Sequence, residues 1–161
     1  MIKAIETVYK GYKFRSRLEA RWGVFFDTLG IEWQYESEGF DLNGLWYLPD
    51  FWLPQVKCWC EIKPHLPGNL DNQVEKWGEL SRHNPLLVIT GQPYPNEYVL
   101  TFVENAEVLG DGQFWPAVTK EQYILVIHNP HRDIFNYIPL TTLDFHPQVT
   151  QALIAARQAR F

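Results

Sequence analysis

Leu48 to Lys63 reads LPDFWLPQVKCWCEIK, and the two halves of this stretch decide how the rest of the chain is arranged. The closing half, Val56 to Lys63, alternates as a strand does, with Val56, Cys58, Cys60 and Ile62 on one face and Lys57, Trp59, Glu61 and Lys63 on the other. The apolar set predicts a core on its own side and leaves Glu61 and Lys63 facing something else. Pro64 has no N–H to give a ladder, so the strand ends just after Lys63. The opening half belongs to a strand-like run from Leu45 to Leu53, in which Asp50 is the lone charge among Leu48, Phe51, Trp52 and Leu53. A carboxylate in such company is costly unless it is paired, hydrogen-bonded or bound to metal.

Ten residues separate Asp50 from Glu61, room for one strand to end, turn at Pro54-Gln55 and return beside the other. Two carboxylates then converge on one point. Hard oxygen donors gathered in this way suit Mg²⁺, with Mn²⁺ as a substitute, because Mg²⁺ takes one or two protein carboxylates and completes its shell with water and substrate phosphate. Lys63 shares the face of Glu61 and would lie beside the ion, placed to orient an attacking water or offset phosphate charge. The bland reading of the same residues is a Glu61–Lys63 ion pair on an exposed strand face, with Asp50 capping a turn after Pro49.

Pro49-Asp50 followed by Glu61-Ile62-Lys63 on an apolar strand resembles the PD-(D/E)xK nuclease superfamily. The run from Phe14 to Pro54 is similar to its small single-domain members from phages and bacterial mobile elements. The resemblance covers about residues 10 to 95 and implies an α/β, restriction-endonuclease-like core of helix, three-stranded meander, helix and strand. It also implies metal-dependent hydrolysis of phosphodiester bonds in DNA, leaving 5′-phosphate and 3′-hydroxyl ends. Asp50, Glu61 and the backbone carbonyl of Ile62 would then hold the metal, Lys63 would position water, and Glu19 on the first helix would bind a second metal or order water. In some of these nucleases a Gln or Lys on the helix after the ExK strand reaches the site. Gln73 and Lys76 occupy that place, although Gln73-x-x-x-Trp77 departs from the Gln-x-x-x-Tyr form, and an exposed polar helix face is the competing reading.

At 161 residues the chain is long enough for one sizeable core, and 46% hydrophobic with 20% charged residues fits a soluble globular domain spanning 1–161, a nuclease-like core to about 95 and an extension from about 96. No apolar run approaches the roughly 20 residues needed to cross a bilayer, and charges interrupt each apolar piece of MIKAIETVYKGYKFR, so neither a membrane span nor a signal peptide is expected and a cytoplasmic location is. Cys58 and Cys60, on one face of a strand, read as reduced, buried small hydrophobes; a zinc pair is the rival reading. A net charge of −5 argues against broad nonspecific nucleic-acid binding, yet Lys3, Lys10, Lys13, Arg15, Arg17 and Arg21 stand against only Glu6 and Glu19 in residues 1–23, a local balance of +4. Contacts to a phosphate backbone are therefore expected from Lys10, Lys13, Arg15 and Arg17.

Along the chain, Leu18, Trp22, Phe25, Phe26 and Leu29 predict a helix from Ser16 to Leu29 ending at Gly30. Ser16 and Glu19 also make a capping box, which is the alternative duty for Glu19. Ile31 to Tyr35 alternates as a strand. Asn43-Gly44 between Phe40–Leu42 and Leu45–Leu48 signals a hairpin, whose second strand would carry Asp50 at its far end. Pro64 to Asn69 reads as a loop, and Leu70 to His83 as a polar helix with Leu70, Val74, Trp77 and Leu80 as its buried stripe. Pro85 to Thr90 suits a central strand. Tyr98 to Val103 and Tyr123 to His128 suit two more, joined by a loop around Gly110-Asp111-Gly112. His128, His131 and Asp133 read as turn residues rather than a metal triad. Pro147 to Arg160 predicts a final helix whose Arg157 and Arg160 complement its dipole. A nucleic-acid-binding or assembly subunit without cleavage activity of its own is the alternative function. Partners expected are DNA and further copies of the chain, through the aromatic-rich extension after Pro93.

Overall fold

Ser16 sets the first helix in place. The structure, a computed structural model, describes residues 3–65, 71–94, 97–118, 123–129, 134–139 and 146–161. The Ser16 backbone is extended, and its hydroxyl accepts the Glu19 N–H at 3.1 Å, capping α1 (Arg17–Thr28). Trp22, Phe25 and Phe26 from the expected stripe are wholly buried. Ahead of α1, β1 (Thr7–Tyr9) and β2 (Tyr12–Phe14) pair as a hairpin that no alternation announced.

After α1 the expected strand is short. Only Gln34–Tyr35 (β3) joins the sheet. The Ile31 N–H is taken by the Phe26 carbonyl at 2.9 Å and the Glu32 N–H by the Gln55 side chain at 3.0 Å, which leaves neither for a neighbouring strand. Asn43 and Gly44, both at positive φ, close the hairpin of β4 (Phe40–Leu42) and β5 (Leu45–Tyr47), which stands as a separate two-stranded sheet. The run through Asp50 breaks after β5 at Pro49 and resumes as β6 (Phe51–Leu53). Asp50 therefore opens a strand of the main sheet instead of ending the hairpin. The turn from Pro54 to Lys57 is one residue pair longer than expected, so β7 is Cys58–Lys63.

β3, β6 and β7 form an antiparallel meander, α2 (Asp71–Ser81) follows, and β8 (Leu86–Gly91) then lies parallel to β7. The same sheet continues antiparallel through β9 (Tyr98–Glu104), β10 (Glu107–Val118), β11 (Tyr123–Asn129) and β12 (Ile134–Pro139). α3 (His146–Gln158) returns to pack on α1. The fold is mixed α/β, with one eight-stranded sheet and three helices among the described residues. Gly110-Asp111-Gly112 is not a connecting loop. It lies within β10, where the ladder to β9 slips between Val108 and Asp111, so the glycines accompany a bulge. His131, Asp133 and residues 66–70 lie outside the described residues; His128 falls in β11.

Around β6, β7 and β8 the sheet is covered on both faces. Cys58, Cys60 and Ile62 of β7 join Leu87 and Ile89 of β8 under α1 and α3, while Trp59, Leu86 and Val88 form a second cluster with Trp77 and Leu80 of α2 and Leu42 and Tyr47 of the β4–β5 hairpin. The face of Glu61 is thus a second core, not open surface. α2 leans on the sheet by its C-terminal half: Trp77 and Leu80 are buried, whereas Val74, expected in the stripe, is exposed. Both cysteines are free and buried, and burial pushes the Cys58 thiol up to about 12. No helix among the described residues is long and apolar enough to cross a membrane.

The end of β8 is tied to α1 through Gly91, whose carbonyl accepts the Trp22 indole N–H at 3.2 Å. Gly91 has φ +97, and a Cβ built there would lie 2.0 Å from the Glu97 carbonyl oxygen. Gly91→Ala is expected to cost at least about 2 kcal/mol, lowering the melting temperature by about 4–8 °C for a chain of this size. Gly78→Ala in α2, whose added Cβ meets nothing closer than 3.5 Å, should melt no lower than the parent. Equal melting of Gly91→Ala and the parent would contradict the close approach.

Candidate functional site

The register of β6 on β7 decides where the acids meet. Leu53 pairs with Cys58, Trp52 with Trp59 and Phe51 with Cys60, so Asp50 and Glu61 are the next residues along each strand. Trp52 and Trp59 touch on the second-core face, ring centroids 4.5 Å apart. Alternation returns Asp50 and Glu61 to that same face. The contact is fixed by a backbone donor: the Ile62 N–H gives a 2.7 Å hydrogen bond to Asp50 Oδ2. Asp50 is 4% exposed and Glu61 3%.

One pocket of about 390 Å³ is lined by Glu19, Asp50, Glu61, Ile62, Lys63, Gln73 and Arg15, along with Trp46 and Tyr47. The structure thus brings together all four acidic and basic residues singled out at the strand ends and on α1. Lys63 Nζ lies 2.6 Å from Glu61 Oε1, so the ion pair of the bland reading exists, but on a buried carboxylate. The other oxygen, Glu61 Oε2, is buried with no hydrogen-bond partner. The buried Tyr47 hydroxyl stands between the Glu61 carboxylate and the Trp77 indole, within reach of both though outside ideal hydrogen-bond geometry. Burial first, then the Glu61 charge, holds the Tyr47 phenol well above its ordinary value, so it stays a neutral donor.

Glu19 reaches the pocket from α1 with both oxygens directed. Oε1 accepts the Ser16 hydroxyl at 2.8 Å and Oε2 accepts the Tyr35 hydroxyl at 2.6 Å. The reciprocal half of a capping box, a bond back to the Ser16 N–H, is replaced by these two. Tyr35 was not singled out by sequence, because an aromatic at the end of a strand reads as core. Its ring packs on Phe14 at 4.3 Å and Phe51 at 5.6 Å, and its oxygen also accepts the Arg15 N–H at 3.0 Å.

The expected phosphate contacts separate. Lys10 pairs with Asp27 and Lys13 with Glu6, each at 2.9 Å. Arg15 pairs with Glu36 and reaches within 3.6 Å of Asp50 Oδ1, which makes it part of the pocket wall. Arg17 lines another pocket, between α1 and α3. Gln73 lines the acidic pocket; Lys76, on the same helix, does not.

Among the described residues no three His, Cys, Asp or Glu side chains form a ready-made metal cage. Asp50, Glu61 and Ile62, the residues expected to offer oxygens to a hard cation, all line the one pocket. Burial first, then the Glu61 and Glu19 charges, holds the Asp50 carboxyl well above the carboxylate range, against the pull of the Ile62 N–H and Lys63. The folded chain therefore binds a proton that the unfolded chain releases, and this contribution to stability is lost as pH rises through the folded value. Asp50→Asn keeps the acceptor for Ile62 and removes the charge. Without divalent cations it should melt about 2–4 °C above the parent at pH 8, the shift made by ~1 kcal/mol, with the gap closing as pH falls to about 4. Thermal melts across that range check it; identical curves at pH 8 would mean that Asp50 is not a strained charge. No family model, curated protein or solved structure matches the chain, so the pocket's own chemistry carries the functional reading.

Proposed function

We propose that the chain is a divalent-metal-dependent nuclease that hydrolyses phosphodiester bonds in DNA, leaving 5′-phosphate and 3′-hydroxyl ends. The observation that carries the reading is the meeting of two buried carboxylates, Asp50 and Glu61, in one pocket that also holds Lys63 and Glu19. Two buried carboxylates side by side call for a cation or a shared proton. Two carboxylates and a carbonyl are the share that Mg²⁺ takes from protein, the remainder of its shell being water and phosphate. The order α1, meander, α2, parallel β8 also supports a restriction-endonuclease-like core.

Asp50 and Glu61, with the Ile62 carbonyl, would hold the ion. Bound there, it supplies Lewis-acid polarisation of the phosphate and acidifies a water for attack. Lys63 holds Glu61 from one side and presents its remaining N–H donors to the attacking water or to a phosphate oxygen. Glu19, held by Ser16 and Tyr35, orders water or accepts its proton. Arg15 offsets negative charge at the pocket wall, and Gln73 offers an amide to the substrate.

With supercoiled plasmid and Mg²⁺ or Mn²⁺, the purified chain should nick or linearise DNA. Asp50→Asn and Lys63→Met should each lose at least about 100-fold in rate. No cutting by the parent, or equal cutting by parent and both variants, overturns the reading. A gel shift without cutting, the same in all three, would favour the non-cleaving subunit.

A further inference from the structure

A second pocket, of about 680 Å³, opens where the start of α1 meets the end of α3, lined by Arg17, Arg21, Arg157, Arg160 and Phe161. The dipole of α3 accounts for Arg157 and Arg160 at its end when each is taken alone. It does not account for their meeting Arg17 and Arg21 of α1. Arg157 has a carboxylate partner, Glu97 at 2.9 Å. Arg21 has a neutral one, Gln92 at 3.3 Å, and its Nε is buried without a partner. Burial, then the Arg17 and Arg157 charges, lowers the pKa of Arg21, as like charges in one recess must. Arginines gathered in one recess repel one another, and a bound anion would relieve that repulsion. Beside it the Arg157 guanidinium lies 4.6 Å over the ring of Tyr94, which is 41% exposed. Cations next to a partly exposed aromatic ring suit a backbone carrying bases better than a lone inorganic anion.

We infer that the four arginines at the α1–α3 seam form a binding site for the phosphates of a nucleic-acid backbone, separate from the acidic pocket. Only the identity of the anion as nucleic acid rests on the nuclease reading. Arg17 and Arg21 stand two residues either side of Glu19, about 160° around α1 from it at roughly 100° per residue. The two pockets thus open on opposite sides of one helix turn, about 10 Å apart by helix diameter. A strand crossing the acidic pocket would set phosphates a few nucleotides away against the arginines.

The test measures binding and needs no cleavage. Fluorescence anisotropy of a labelled DNA duplex with Ca²⁺ across a KCl series compares the parent, Arg17→Gln/Arg160→Gln, and a charge-matched control, Lys57→Gln/Arg82→Gln. All four positions are exposed. The arginine pair should weaken binding about 10-fold or more at 0.1 M salt and make the log K against log salt slope shallower by about 1.8, at 0.9 per lost phosphate contact, with the control unchanged. No binding by the parent, a normal slope in the arginine pair, or an equal loss in the control overturns the inference. Arginine-dependent binding without plasmid cutting would leave this site standing and remove the nuclease reading; cutting with arginine-independent binding would do the reverse.

Discussion

The hydrogen bond from the Ile62 N–H to Asp50 Oδ2 joins the fold to the site. A backbone amide of β7 is spent on a side chain just past the last residue pair of the β6–β7 ladder, so the position of Asp50 follows from strand register and not from a rotamer. Slipping that register by one residue would turn Glu61 and Trp59 into the first core and expel Cys60 and Ile62 from it. The apolar faces of β7 therefore hold the acids in place. Two buried carboxylates are the cost of this arrangement.

The surrounding structure reads as support for that cost. Phe14, Tyr35, Phe51 and Phe26 form one chain of ring contacts, with centroids 4.3 to 6.0 Å apart, and their packing anchors both β6 and the hydroxyl of Tyr35. Through that hydroxyl, ring packing directs Glu19. Rigid aromatic packing is a cheap way to orient a carboxylate, because a ring has few rotamers to lose and its single oxygen can face the pocket. The Tyr47 hydroxyl, also in the pocket wall, lies between Glu61 and the Trp77 indole. The high aromatic content thus serves orientation as well as volume.

What was legible in the sequence followed from period and from turn chemistry. The α1 stripe, the Asn43-Gly44 hairpin and the apolar run of β8 each stand as their patterns predict, while β7 keeps its alternation of faces but buries both. The convergence of Asp50 and Glu61 was legible too, since ten residues with a turn between two strands leave few other arrangements. The failures come where backbone groups are used outside ladders. Ile31 and Glu32 give their N–H groups to a helix end and a glutamine, and Pro49 splits a run whose apolar character is continuous. The glycines in β10 mark a slip of register where a local reading sees only a turn. Tyr35 and Tyr47 were invisible as site residues because a buried aromatic looks the same whether or not its hydroxyl has a task.

Charge placement shows the same limit. Summed over the chain, −5 says little about partners, and the local +4 of the first 23 residues counts lysines that are already paired with acids. The informative quantity is spatial. α1 carries Glu19 on one side and Arg17 and Arg21 on the other, and only the return of α3 brings Arg157 and Arg160 to the second group. One helix thereby separates a site of surplus negative charge from a site of surplus positive charge by about its own diameter. That spacing keeps the guanidiniums of the α1–α3 seam from neutralising the carboxylates directly.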